Sequence, residues 1–179
     1  VNDNQLFDFS DVQLPDWLNR PIAVFDLETT GLDHRASRIV TACAALIDSD
    51  GKVIGNDHEW LANPGIPIPV EASNVHGVTD EIAQSQGRPL EEVVGEIVST
   101  LRSYFEAGTP VVAYNAPYDF TILQSEANRY GIAPFAPRAV IDPLVLDRQL
   151  VKFRSGKGSR TLIALCRDYE VELIDAHNS

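Results

Sequence analysis

An apolar, β-rich run from Ile22 to Phe25 leads directly into two acids, Asp26 and Glu28, followed by Thr29, Thr30 and Gly31. In an extended strand, side chains two residues apart point to the same face. Asp26 and Glu28 therefore project together from the end of a buried strand. Adjacent carboxylates repel, and one takes up a proton unless a cation stands between them. Oxygen-rich sites of this kind suit Mg²⁺ or Mn²⁺. The same residues also fit a plainer role, as acids that face solvent or cap the next turn.

The rest of the chain supplies a framework for that strand. Residues 1–20 carry Asp3, Asp8, Asp11 and Asp16 without periodicity and read as an arm, with Leu14 and Trp17 available to pin it. Arg38 to Asp48 reads as a second strand, Ser49-Asp50-Gly51-Lys52 as a hairpin turn and Val53 to Ala62 as the returning strand. The proline-rich Asn63 to Pro69 is irregular, because its prolines remove donors and fix φ. His76 follows in Val75-His76-Gly77.

Apolar positions from Leu90 to Phe105 recur with the helical period. A buried strand is expected from Val111 to Tyr114. Asn115 is then placed to cap a second long helix, with Asp119 in its first turn. Asp119 also reads simply as an acid favoured there by the helix dipole. Ala139 to Ile141 is a short strand, and Asp142 caps the helix after it. Thr161 to Tyr169 forms a last helix with Leu162, Ile163, Leu165 and Cys166 inward.

A chain of 179 residues has room for one domain with a substantial core, here residues 21–179 after the arm. No apolar run is long enough to span a bilayer, and the start lacks the layout of a signal peptide. Val1 is not an initiator methionine, which implies a trimmed start. Cys43 and Cys166 are expected to be buried, reduced thiols, consistent with a cytoplasmic protein. The net charge of −12 argues against broad, non-specific nucleic-acid binding. Its distribution is uneven, however. Arg148, Lys152, Arg154, Lys157 and Arg160 follow one another with no acid between them. They form either a solvated loop or an edge that tracks phosphates.

The ordered blocks V-F-D-x-E-T-T-G, V-H-G-V-T-D, Y-N-A-P-Y-D-F, G-S-R-T-L-x-A-L-C-x-x-Y and A-H-N resemble the DnaQ-like 3′–5′ exonucleases of the DEDDh type. This group includes proofreading subunits of DNA polymerases and RNase T-like enzymes. The resemblance implies an α/β, RNase H-like fold, with a mixed five-stranded sheet flanked by helices. It assigns Asp26, Glu28 and Asp119 to metal binding and catalysis, with two divalent cations, Mg²⁺ or Mn²⁺. His177 is implied as the general base. A fourth acid is expected shortly after His177, beyond Ser179, in a longer parent chain. Thr29, Thr30, Gly31 and His76 are implied to contact the terminal nucleotide, and the Arg148–Arg160 run to contact the backbone.

The implied reaction releases nucleoside 5′-monophosphates from the 3′ end of DNA or RNA, in proofreading or repair, with a DNA polymerase as a candidate partner and no membrane. The alternative is a catalytically incomplete domain that binds nucleic acid or a polymerase. Phosphotransfer through an aspartyl intermediate is a poorer match, since Glu28 stands where that chemistry wants an aspartate.

Overall fold

The structure, a computed structural model, describes residues 20–133, 135–156 and 158–172. His177, Lys157 and the arm through residue 19 lie outside them. A meander opens the fold: β1 (Ile22–Thr29), β2 (Ile39–Ile47) and β3 (Val53–Asn63) pair antiparallel. The turn between β2 and β3 is held by Asp48, whose carboxylate accepts from the Asp50 and Lys52 amides, both at 2.9 Å. Gly51 supplies the left-handed residue there, at φ 78°.

Two short helices, α1 (Val70–His76) and α2 (Asp80–Gln86), lead to β4 (Arg88–Pro89) and then to α3 (Leu90–Glu106). β5 (Val111–Val112), α4 (Ala116–Arg129), β6 (Val140–Ile141), α5 (Pro143–Leu150) and α6 (Leu162–Asp168) complete the described chain. The sheet order is β4-β3-β2-β1-β5-β6, with β5 parallel to both β1 and β6. The C-terminal ends of β1, β5 and β6 therefore share one edge, where ligands gather in open α/β sheets.

The sheet has six strands where five were expected, because β4 adds a two-residue parallel pairing to β3. That pairing rests on close backbone approach rather than on a strand-like sequence. A Cβ at Gly87 would stand 2.3 Å from the Ala83 carbonyl oxygen and 2.6 Å from the Asn63 nitrogen. Only glycine fits there.

Alternation along β1 sends Ala23, Phe25 and Leu27 into the main core. They meet Val94, Ile97 and Leu101 of α3 and Ile122 and Leu123 of α4. Ile22, Val24, Asp26 and Glu28 occupy the other face. In α6, Ala164 and Leu165 are buried while Leu162 and Ile163 stay exposed, unlike the inward placement expected. The Thr161 hydroxyl accepts from the Ala164 amide at 3.2 Å and sets this helical phase. Cys43 and Cys166 are free thiols, half-buried rather than fully so. No helix among the described residues is long and apolar enough to cross a membrane.

Candidate active site

Asp26 and Glu28 sit on one face of β1, opposite Cys43 and Thr41 of β2. The register shifts between Glu28 and Thr29, and the ladder ends with the pair Thr29–Ile39. Thr30 and Gly31 follow beyond the strand end and, with Thr29, line the adjacent cleft. Asp119 reaches the same edge from the first turn of α4, with its side chain only 3% exposed.

The start of α4 is built differently from the expected cap. Asn115 adopts a left-handed conformation, φ 59°, ψ 41°, and its side chain makes no capping bond. Asp142 supplies the acceptors instead. Its Oδ1 receives the Asn115 amide at 3.0 Å and its Oδ2 the Ala116 amide at 3.1 Å. Oδ1 also caps α5 through the Leu144 amide at 2.9 Å.

The electrostatics tie Asp26, Glu28 and Asp119 together. Burial raises the Glu28 carboxyl to about 7, and the Asp26 charge adds to the rise. Burial raises Asp119 to about 8; repulsion from Asp26 and then Glu28 adds, while the backbone N–H groups of Asp119 and Leu27 oppose it. These are oxygen donors suited to a hard divalent cation. Even so, no three Asp, Glu, His or Cys side chains among the described residues are drawn to metal-ligand spacing.

Beside the acids lies a largely apolar cleft of about 440 Å³, lined by Glu28, Thr29, Thr30 and Gly31 on one side and by Pro69, Val75 and His76 on another. Tyr118 forms a wall that the sequence reading missed. It immediately precedes Asp119, but its role depends on a contact spanning 87 residues. The Tyr118 hydroxyl donates to the Gly31 carbonyl at 2.7 Å, and the Thr29 hydroxyl reaches that carbonyl at 2.8 Å. The two hydroxyls are themselves 2.7 Å apart.

The Thr30 hydroxyl accepts from the Arg38 amide at 3.0 Å. Both threonine hydroxyls are thus engaged within the protein. A Cβ added at Gly31 would press on Ser37 Oγ at 3.3 Å, so a larger residue there requires Ser37 to give way. His76 is 8% exposed and takes the Val78 amide on Nδ1 at 3.2 Å. Burial moves its imidazole below the ordinary value, with the Thr29 backbone pulling partly the other way. Its Nε2 is buried without a hydrogen-bond partner among the described residues.

The basic run divides in two. Arg154 and Arg160 turn inward onto Asp147, which is 1% exposed. Their guanidinium groups are held by a carboxylate, which removes the physical basis for reading them as phosphate contacts. Arg148 and Lys152 remain exposed.

The sequence profile of the RNase T exonuclease family matches residues 23–179. The chain belongs to that family. It is 28% identical over 179 residues to a DNA polymerase III PolC-type protein of Halalkalibacterium halodurans, covering 100% of this chain and 12% of that protein. An uncharacterised exonuclease, CP81, of Escherichia phage 186 is 38% identical over 116 residues, which cover 65% of this chain and 54% of the phage protein. The fold is that of exonuclease I. The zinc-bound Escherichia coli exonuclease I–single-stranded DNA complex superposes with a TM-score of 0.72 at 20% identity, over 89% of this chain and 37% of that one. This exonuclease domain thus corresponds to a fraction of the length of these relatives.

Proposed function

We propose that this exonuclease domain hydrolyses phosphodiester bonds in the 3′-to-5′ direction with the help of divalent cations, releasing nucleoside 5′-monophosphates from DNA or RNA. What supports this reading is the placement of Asp26 and Glu28 on one face of β1 and of buried Asp119 in the first turn of α4 at the same sheet edge, beside a cleft of about 440 Å³. Asp26, Glu28 and Asp119 would hold Mg²⁺ or Mn²⁺. Such ions shield phosphate charge, stabilise the leaving oxygen and lower the pKa of water.

The chain's own residues do the rest. The Thr29–Gly31 turn, His76 and Tyr118 wall the cleft that receives the terminal nucleotide. With both threonine hydroxyls engaged internally, that turn offers backbone groups to the ligand. His177, outside the described residues, is the candidate to accept a proton from the attacking water, since an imidazole titrates in the neutral range. Arg148 and Lys152 remain candidates for phosphate contact. The PolC-type relative and the exonuclease I–DNA complex support a nucleic-acid substrate and a DNA polymerase partner.

The test is degradation of 3′- and 5′-labelled DNA and RNA oligonucleotides by the complete protein with Mg²⁺ or Mn²⁺, alongside Asp26→Ala and His177→Ala. Loss of one nucleotide at a time from the 3′ end, abolished in both variants, is the expected result. Undiminished degradation by either variant rules out the role assigned to that residue. The absence of ligand-spaced acid clusters among the described residues favours a second reading, a domain that binds nucleic acid without cutting it. Tight oligonucleotide binding with no cleavage under any metal would select that reading.

A further inference from the structure

The segment between α5 and α6 carries an aromatic ring that the fold leaves open. Phe153 is 83% exposed. Its neighbour Arg154 points inward, donating from Nε to both Asp147 oxygens at 3.0 and 3.1 Å and from Nη2 to Oδ1 at 2.6 Å. Arg160 adds a bond from Nε to Oδ2 at 2.7 Å, and the Tyr169 hydroxyl donates to Oδ1 at 2.8 Å. Asp147 therefore gathers both ends of the loop beneath the surface. With Arg154 anchored, Phe153 is displayed rather than packed.

The surroundings of the ring are cationic and polar. Lys152, the residue before it, is exposed, as is Arg148 on α5, and the Arg167 side chain is 77% exposed while paired with Asp168 at 3.1 Å. An adjoining cleft of about 410 Å³ is lined by Phe153, Ser155, Ser159 and Arg167, together with the paired Arg154 and Asp168. In a chain of net charge −12, the run from Arg148 to Arg160, with five cations and no acid, is a local reversal of sign. A ring open to solvent, flanked by cations and hydroxyls, matches what single-stranded nucleic acid requires: an aromatic face for a base and positive charge for the backbone.

The placement fits the same ligand. The Tyr114 hydroxyl donates to the Arg160 carbonyl at 2.6 Å, tying the loop to the chain just beyond β5 and just before Asn115. The Arg160 end of the loop thus borders the edge that carries the acids. It lies towards β6 and α5, whereas the cleft walled by Thr29, His76 and Tyr118 lies towards α1.

We propose that Phe153, on the cationic loop that carries Lys152, is a stacking platform for a base of single-stranded nucleic acid internal to the end held at the acids. This rests on the nuclease reading above, so the experiment separates the two. Binding of the complete protein to a fluorescein-labelled oligothymidylate about a dozen nucleotides long is followed by anisotropy in EDTA. Hydrolysis of the p-nitrophenyl ester of thymidine 5′-monophosphate, which is too small to span both places, is followed with Mn²⁺.

Phe153→Ala should weaken oligonucleotide binding roughly tenfold or more. It should leave hydrolysis of the small ester and the melting temperature unchanged, and Phe153→Trp should restore binding. Oligonucleotide binding that is unchanged in Phe153→Ala overturns the platform. So does a variant that melts lower and loses both activities together, which marks Phe153 as a packed side chain in the complete protein. If the wild type cleaves neither substrate yet binds the oligonucleotide through Phe153, the nuclease reading fails and the platform stands.

Discussion

Asp142 grips the first turn of α4 with both carboxylate oxygens, one on the Asn115 amide at 3.0 Å and the other on the Ala116 amide at 3.1 Å. Asn115 cannot cap the helix itself, because its left-handed backbone turns the chain sharply just before Asp119. Asp142 therefore connects the end of β6 to the helix that carries the third acid. Asp142→Ala exposes three amide donors at once, including the Leu144 cap. The expected cost is about 2–3 kcal/mol, measured by urea unfolding. Asp142→Asn keeps an acceptor and should recover part of the loss. Nuclease activity should fall more than stability at a temperature where both variants are folded, since Asp119 shifts with its helix.

A buried ion pair braces the Thr29–Gly31 turn from behind. The Arg38 guanidinium, 14% exposed, lies 2.8 Å from the carboxylate of Glu126, which is 0% exposed. The Arg38 Nε–H is not aimed along this contact, so the pair is held by charge more than by a directed hydrogen bond. Arg38 also exchanges bonds with Thr30, its amide donating to Oγ1 and its carbonyl accepting from the Thr30 amide, both at 3.0 Å. Glu126→Ala strands the guanidinium and should cost about 3–5 kcal/mol. Replacing Glu126 and Arg38 together by apolar residues should cost less than either truncation alone, as a double-mutant cycle of chemical denaturation would show.

Much of the frame could be read along the chain, because it rests on local periodicity. The apolar run from Ile22 to Phe25 marked β1, the two-residue spacing put Asp26 and Glu28 on one face, and the 3.6-residue period of Leu90 to Phe105 marked α3. The Asp-Gly turn at Asp50-Gly51 announced the hairpin. What escaped depends on pairs distant in sequence. β4 exists only because Gly87 lets two backbones meet. Arg154 and Arg160 looked like free cations because Asp147, the acid that claims them, lies outside the run. The Tyr118–Gly31 contact bridges segments with no common pattern. Composition carries the charges of a chain but not the identity of their partners.

Tyr118 makes a separable contribution to the cleft. Its ring is a wall, while its hydroxyl fixes the Gly31 carbonyl. Tyr118→Phe keeps the ring and leaves the Gly31 carbonyl with the Thr29 hydroxyl alone, so the turn loses its tie to α4. The expected outcome is a several-fold rise in KM for oligonucleotides with little change in kcat, and a stability loss of about 1 kcal/mol. A change confined to kcat would instead place the hydroxyl at the reacting atoms.

Asp119 should set stability and activity against each other. Its carboxyl is raised from 3.8 to about 8, and that of Glu28 from 4.5 to about 7. The folded state therefore holds more protons than the unfolded state between roughly pH 4 and pH 8. Stability of the metal-free protein is fully present below the unfolded values. It is lost progressively as pH rises from there through about 7 and about 8, above which folding must accommodate ionised, mutually repelling acids. Melting temperature in EDTA should fall over this range, and millimolar Mn²⁺ should flatten the decline by favouring the ionised forms. Asp119→Asn removes the most buried of the three charges. In EDTA at pH 8 it should melt a few degrees higher than the wild type, with a shallower pH slope, while nuclease activity drops to background. An Asn variant that melts lower at pH 8 would mean that Asp119 is held by stabilising partners rather than strained by Asp26 and Glu28.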